Sequence, residues 1–224
     1  MASGAGYLSE IGSAYGKIAC PRALQPAPGQ YLMASSNDPA QAAAQALFPT
    51  SLPGAELEVA LPLPAWWQPG AELHLRGPLG RGFSLPRSAR RVVLAARACP
   101  PGLLAPLAQL ALQQGAEVTF LSTEPPHNLP EAVEILPPDL LAETLPWADF
   151  FGAALPLVEL ANLRRQAGLR IHQRAHCTAE ALLLTPLACA GLAACGACAL
   201  LTPRGWKLAC ADGPVFHLND LELL

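Results

Sequence analysis

Four of the chain's seven cysteines fall between residues 189 and 210, in the order Cys189-x5-Cys195-x2-Cys198-x11-Cys210. Thiols this dense either share a metal centre or are buried as small apolar groups, and each choice restricts the local backbone severely. The N-terminal stretch "MASGAGYLSEIGSAYGK" has no basic start and no continuous apolar core, so it does not read as a secretory signal. An odd cysteine count without an export signal argues for the reducing cytoplasm and against a disulfide framework. Metal ligation and burial as core thiols both remain open on these grounds.

Three details favour an iron–sulfur cluster over a zinc site. Three thiols share one short loop and a fourth follows later, close to the C-x4-C-x2-C…C order of plant-type [2Fe-2S] centres. The filler is Ala190, Gly191, Ala193, Ala194, Gly196 and Ala197, small enough for the main chain to wrap closely and aim N–H groups at sulfur. A zinc ribbon needs a second C-x2-C knuckle, which is missing. The third detail is "CALLTPRGWKLAC", which predicts a β-hairpin turning at Arg204. It sets Ala199 against Ala209, Leu200 against Leu208 and Cys198 against Cys210, about 5 Å apart at Cβ.

The net charge of −3 and pI near 5.9 give no nucleic-acid surface. Residues 181–203 carry no charge and are long enough to span a bilayer, but Pro186, Gly191 and Gly196 and the small residues of the second half argue against a membrane helix. Upstream, three textures follow one another. Residues 1–88 read as short strands between turn signals, an all-β barrel or sandwich: 16–20, 31–35, 55–61, 71–77 and 82–86, with a loop or helical turns over 37–46. Residues 89–176 read as an α/β layer with a parallel sheet, from strand 90–96, helix 103–116 and strand 117–122 onward, ending on a strand over 169–177. Residues 177–224 are the cysteine-rich module. His172 and His176 are read as polar strand positions, roughly 13 Å apart, and not as a ligand pair. Cys20 and Cys99 are read as buried thiols.

The tail "LACAGLAACGACALLTPRGWKLACADGPVF" resembles the C-terminal [2Fe-2S] domain of the electron-transfer subunit of dihydroorotate dehydrogenase B, with Asp212 to Phe216 as the Asp-Gly-Pro-Val-Phe that ends it. Five residues stand between the first two ligands where that family has four. "PGQYL" (28–32) and "RGPLGRGF" (76–83) resemble landmarks of the family's ferredoxin-reductase-like flavin barrel. The resemblance implies Cys189, Cys195, Cys198 and Cys210 as ligands of a [2Fe-2S] cluster, and an FMN-containing dihydroorotate dehydrogenase catalytic subunit as partner in pyrimidine biosynthesis. It also implies a reductase-like barrel followed by a reduced nucleotide-domain layer. The chain would then be a non-catalytic electron-transfer subunit with no nucleic-acid or membrane partner.

The family's FAD and NAD motifs are degenerate. The arginine expected to face a flavin pyrophosphate is replaced in "LFPTSL" (47–52), and no lysine or arginine occurs between Arg22 and Arg76. Arg76, Gly77, Gly80 and Arg81 are the only FAD candidates left. The nucleotide turn "RACPPGLLAPL" (97–107) has one glycine, and Pro100 and Pro101 lack the N–H groups that cradle phosphate. NAD is therefore not expected, and FAD is weakly supported. The alternative reading is a non-redox assembly or regulatory protein whose cysteines hold a structural zinc or cluster.

Overall fold

The structure is a computed structural model, and it describes residues 2–38, 43–170 and 173–221. Six strands form the first unit: β1 (Ala2–Ile11), β2 (Tyr15–Ala19), β3 (Tyr31–Ser36), β4 (Gln45–Leu47), β5 (Leu57–Ala60) and β6 (Glu72–Leu79). They pair antiparallel in the order β4-β3-β6-β1-β2-β5. Beyond β4 the chain keeps bonding to β5, through Thr50 N–H to Glu58 O (2.8 Å) and Ala60 N–H to Phe48 O (3.0 Å), which nearly closes the barrel. Alternation drives this closure. In β6 the residues Leu73 and Leu75 point inward to meet Leu8, Ile18, Leu32 and Leu57, while Leu79 packs with Tyr31 and Met33. The N-terminal strand β1 is weakly patterned, with only Gly6 and Leu8 buried, and its existence depends on being paired on both sides.

The second unit begins with β7 (Arg91–Ala96), α1 (Ala105–Gln113) and β8 (Glu117–Leu121), the expected βαβ turn. It continues through β9 (Glu134–Leu136), α2 (Leu141–Thr144), β10 (Phe150–Pro156), α3 (Leu160–Gln166) and β11 (Thr178–Leu184). After the hairpin β12 (Ala199–Thr202) and β13 (Gly205–Leu208), the turn α4 (Ala209–Asp212) leads to β14 (Val215–His217). The sheet order is β9-β8-β7-β10-β11-β14, parallel throughout except for β14. The order reverses between β7 and β10, the point where open α/β sheets form their ligand crevice at the carboxyl ends of the strands. Strand β10, "FFGAALP", is buried on both faces as a central parallel strand should be.

Three expectations are corrected. The outer strand lies at 178–184 rather than 169–177, because residues 179–183, with the carboxylate of Glu180 bonded to Arg81 and Ser84, bury between β10 and β14 while 173–177 form a loop. The two strands at one end of this sheet, β11 and β14, thus come from the segment assigned to the cysteine module, whose loop and hairpin are inserted between them. Residues 82–86 form no strand. Phe83 N–H bonds Pro28 O and Ser84 turns to the second sheet, so this stretch joins the two units. The hairpin register is one residue off: Ala199 pairs with Leu208 and Leu200 with Lys207. Among the described residues no helix is long and apolar enough to cross a membrane, and residues 181–203 divide among β11, a loop and β12. Ile171 and His172 lie outside the described residues, as do residues 39–42 of the expected loop.

One polar clamp sets the start of β10. The Asp149 carboxylate accepts the N–H groups of Arg90 and Arg91, both at 3.0 Å, and the Arg91 guanidinium at 2.6 Å. These bonds, that to the Arg91 side chain foremost, hold its pKa down to about 2. A depressed folded pKa means the stabilisation is complete above the ordinary carboxylate value and is lost as pH falls through the folded one. Asp149→Asn should therefore lower the melting temperature at neutral pH, and the gap from the parent protein should close as pH falls from about 4 to about 2. Thermal scans across that range check it; a gap of constant size would contradict it.

Candidate metal centre

The cysteine loop runs along the surface between β11 and β12, and its backbone conformation follows from its small residues. Ala190, Gly191, Ala193 and Gly196 all have positive φ (53°, 74°, 57° and 70°), and left-handed residues of this kind turn successive N–H groups to one side. The Cys189 thiol receives the N–H groups of Ala194, Cys195 and Leu192. The Cys195 sulfur accepts the N–H of Ala197 at 3.4 Å, and the N–H of Ala193 points at Cys210. The alanines and glycines thus do what their size suggested.

The thiols stand in two adjacent pairs. Cys189 neighbours Cys195, Cys210 neighbours Cys198, and Cys210 lies close enough to Cys189 to feel its charge. Cys198 and Cys210 are buried against the parallel sheet with Phe216 and Leu200, whereas Cys195 is exposed. The electrostatics follow this gradient. The Ala194 and Cys195 N–H groups lower the Cys189 pKa to about 6, while burial, and then the neighbouring Cys198, push Cys210 up to about 11. A thiolate is thus ready at the rim, whereas Cys210 holds its proton more tightly, to be released on metal binding. Among the described residues no group of three or more His, Cys, Asp or Glu side chains is drawn tightly enough to hold a single ion.

The expected facing of Cys198 and Cys210 across the hairpin is replaced by another route to the same contact. Ala209 N–H bonds Cys198 O (3.0 Å), and the chain then leaves the strand into α4, which turns Cys210 back toward Cys198. Asp212 fixes that turn by accepting the Leu208 N–H at 2.8 Å. Gly213 follows because a Cβ there would sit 2.2 Å from the Phe216 ring. The Asp-Gly-Pro-Val-Phe segment is thereby explained as the anchor that seats the fourth cysteine.

Two barrel residues hold the loop from below, and sequence reasoning assigned neither this role. Tyr31 is fully buried, donates its hydroxyl to Cys210 O at 3.1 Å and stands so close to Gly191 that a Cβ there would be 2.7 Å from its oxygen. Arg76 donates to Ala190 O. Burial and the surrounding thiols raise the Tyr31 pKa, so its hydroxyl keeps its proton and remains a donor. The only signal was Tyr31 within the barrel landmark, and nothing local says that it reaches residue 210.

The remaining candidates are placed as follows. Arg81 bonds the fully buried Glu180 carboxylate at 2.9 Å, and the His217 ring stands 3.1 Å from Arg81. Ser84 completes this junction by donating its N–H to Glu180 at 2.8 Å. Gly80 presses against Gly213 and Pro214, and Gly77 against Leu32. All four FAD candidates therefore have structural partners within the protein, and Arg76 and Arg81 serve the seams between barrel, loop and sheet. Cys20 and Cys99, expected to be buried, are only partly so, as is Cys177; that partial burial raises the thiol pKa of all three, Cys99 to about 11.

A nearly closed antiparallel barrel followed by an open, mostly parallel sheet is a ferredoxin-reductase-like fold, and the cysteine loop and hairpin are carried between two strands of that sheet. Residues 187–222 match the iron-sulfur cluster binding domain of dihydroorotate dehydrogenase B. The resemblance read from the sequence therefore holds: an iron–sulfur domain of that type stands on a reductase-like barrel and sheet. No curated protein matches the chain. Among solved structures, the chain is similar to an NADH-dependent reduced ferredoxin-NADP oxidoreductase studied for flavin-based electron bifurcation, at 15% identity and TM-score 0.76 over 96% of this chain and 89% of that one. Phthalate dioxygenase reductase, which transfers electrons from pyridine nucleotides to [2Fe-2S], matches at 11% identity and TM-score 0.55 over 81% and 68%. A ferredoxin NADP+ reductase from Neisseria gonorrhoeae with bound FAD and NADP matches at 13% identity and TM-score 0.53 over 74% and 90%. At these identities the likeness establishes the fold.

Proposed function

We propose that Cys189, Cys195, Cys198 and Cys210 hold one [2Fe-2S] cluster, and that the chain is the electron-transfer subunit of a dihydroorotate dehydrogenase-type flavoenzyme in pyrimidine biosynthesis. The observation that carries this reading is the match of residues 187–222, which hold all four cysteines, to an iron-sulfur cluster binding domain, together with the closeness of Cys189 to Cys195 and of Cys198 to Cys210. Such a cluster supplies one-electron relay, with a potential set by charge, hydrogen bonding and burial.

The chain's own residues would serve that role in distinct ways. The N–H groups of residues 192 to 195 and of Ala197 stabilise anionic sulfur, and α4 with Asp212 fixes the fourth ligand. The sheet face shields Cys198 and Cys210 from water, and exposed Cys195, beside the 63% exposed Leu192, leaves an edge open to a partner. The partner implied is the FMN-containing catalytic subunit.

A direct test mixes the cluster-loaded chain with that catalytic subunit and dihydroorotate under anaerobic conditions. The visible absorbance of the cluster should bleach only when subunit and substrate are both present. Bleaching by dithionite but not by this mixture would remove the assigned partner.

A further inference from the structure

The crevice between the two units remains unassigned, and it opens at the carboxyl ends of the parallel strands, where ligands of such sheets bind. A cleft of about 480 Å³ lies there. The barrel contributes Ala46, Phe48 and Leu61, the turn after β7 contributes Pro100 and Leu103, and the segment leaving β11 contributes Leu187 and Ala188, which run straight into Cys189. Phe48 also packs on Tyr31, with ring centroids 5.5 Å apart, and Tyr31 bonds the Cys210 carbonyl. The cleft thus abuts the cysteine loop on two sides.

Its chemistry is specific. Among the described residues lining it there is no lysine, arginine, aspartate or glutamate, and the polar side chains are Gln45 and Thr185. A neighbouring cleft of about 310 Å³ shares Leu61 and Pro100 and has Glu124 and His127 but no lysine or arginine. The residues therefore do not fit a dinucleotide, because a pyrophosphate dianion needs cations or a run of N–H donors, and Pro100 and Pro101 interrupt the turn that would present them. They do fit a flat apolar ring, with Phe48 offering an aromatic face and Gln45 and Thr185 able to donate to carbonyls.

We propose that this cleft binds an uncharged, planar, carbonyl-bearing aromatic ring, that of a naphthoquinone or of a flavin without its phosphates, and that it recognises no phosphate. The choice of a redox-active ring rests on the electron-transfer reading above, whereas the size and neutrality of the cleft do not. Isothermal titration of the full, cluster-loaded chain with menadione, lumiflavin and FAD tests it, menadione and lumiflavin distinguishing the two sources.

At least one ring compound should bind, and FAD should bind less than about tenfold more tightly than the better of the two rings. Ala60→Trp, which fills the cleft, should weaken the ring by about tenfold or more while leaving the cluster absorbance intact. If that variant does not fold, Thr185→Val should weaken binding by about threefold. Failure of both rings to bind, an FAD preference of about tenfold or more, or unchanged affinity in the variants overturns the assignment. A colourless chain that still binds the ring would instead defeat the cluster reading and leave the cleft standing.

Discussion

Cys210→Ala should yield protein with less than about a tenth of the parent's iron, while Cys177→Ala keeps it all. Cys210 belongs to the inner pair, faces Cys198 and has no other described thiol positioned to replace it. The loss should be as complete for Cys198→Ala. Cys177 is half-buried, lies on the loop before β11 and takes no part in either pair. Iron determination on anaerobically purified variants checks the contrast. Equal iron in Cys210→Ala and the parent would remove residue 210 from the ligand set, and with it the two-pair arrangement.

The second large effect concerns the barrel's grip on the loop. Tyr31→Ala should destabilise the protein by about 3–5 kcal/mol, as expected when a buried aromatic side chain is deleted. Tyr31→Phe should cost only about 0.5–1.5 kcal/mol, because it keeps the packing and loses one hydrogen bond to Cys210 O. Urea unfolding followed by tryptophan fluorescence separates the two. A Tyr31→Ala variant as stable as the parent would mean that the loop is seated by its own turns and by α4 alone, without the barrel.

What the sequence made legible was local chemistry. The cysteine order, the role of alanine and glycine between the thiols, the barrel texture and the first βαβ turn all depend on residues near one another in the chain, and the structure reproduces them. The illegible parts depend on long-range pairing. Strand β1 is an alternation too faint to read until β2 and β6 flank it. Residues 169–177 alternate in polarity and so read as the outer strand, whereas β11 carries a charge, Glu180, amid its apolar residues, and only the partners Arg81 and Ser84 from the chain between the two units allow that carboxylate to be buried. The hairpin register differs by one because the turn holds two residues, Pro203 and Arg204, with Thr202 paired to Gly205, whereas a turn centred on Arg204 implies three. Arg76 and Arg81 offered themselves as phosphate ligands by charge alone; their partners, Ala190 O and Glu180, lie about a hundred residues away in sequence.

The most direct measurement is the composition of the centre itself: iron, acid-labile sulfide and zinc per chain, with electron paramagnetic resonance after dithionite reduction. About two irons and two sulfides per chain, no stoichiometric zinc, and a reduced-state signal that disappears on reoxidation are the expected result. One zinc per chain without sulfide or signal would contradict it, and the four thiols would then be a structural site.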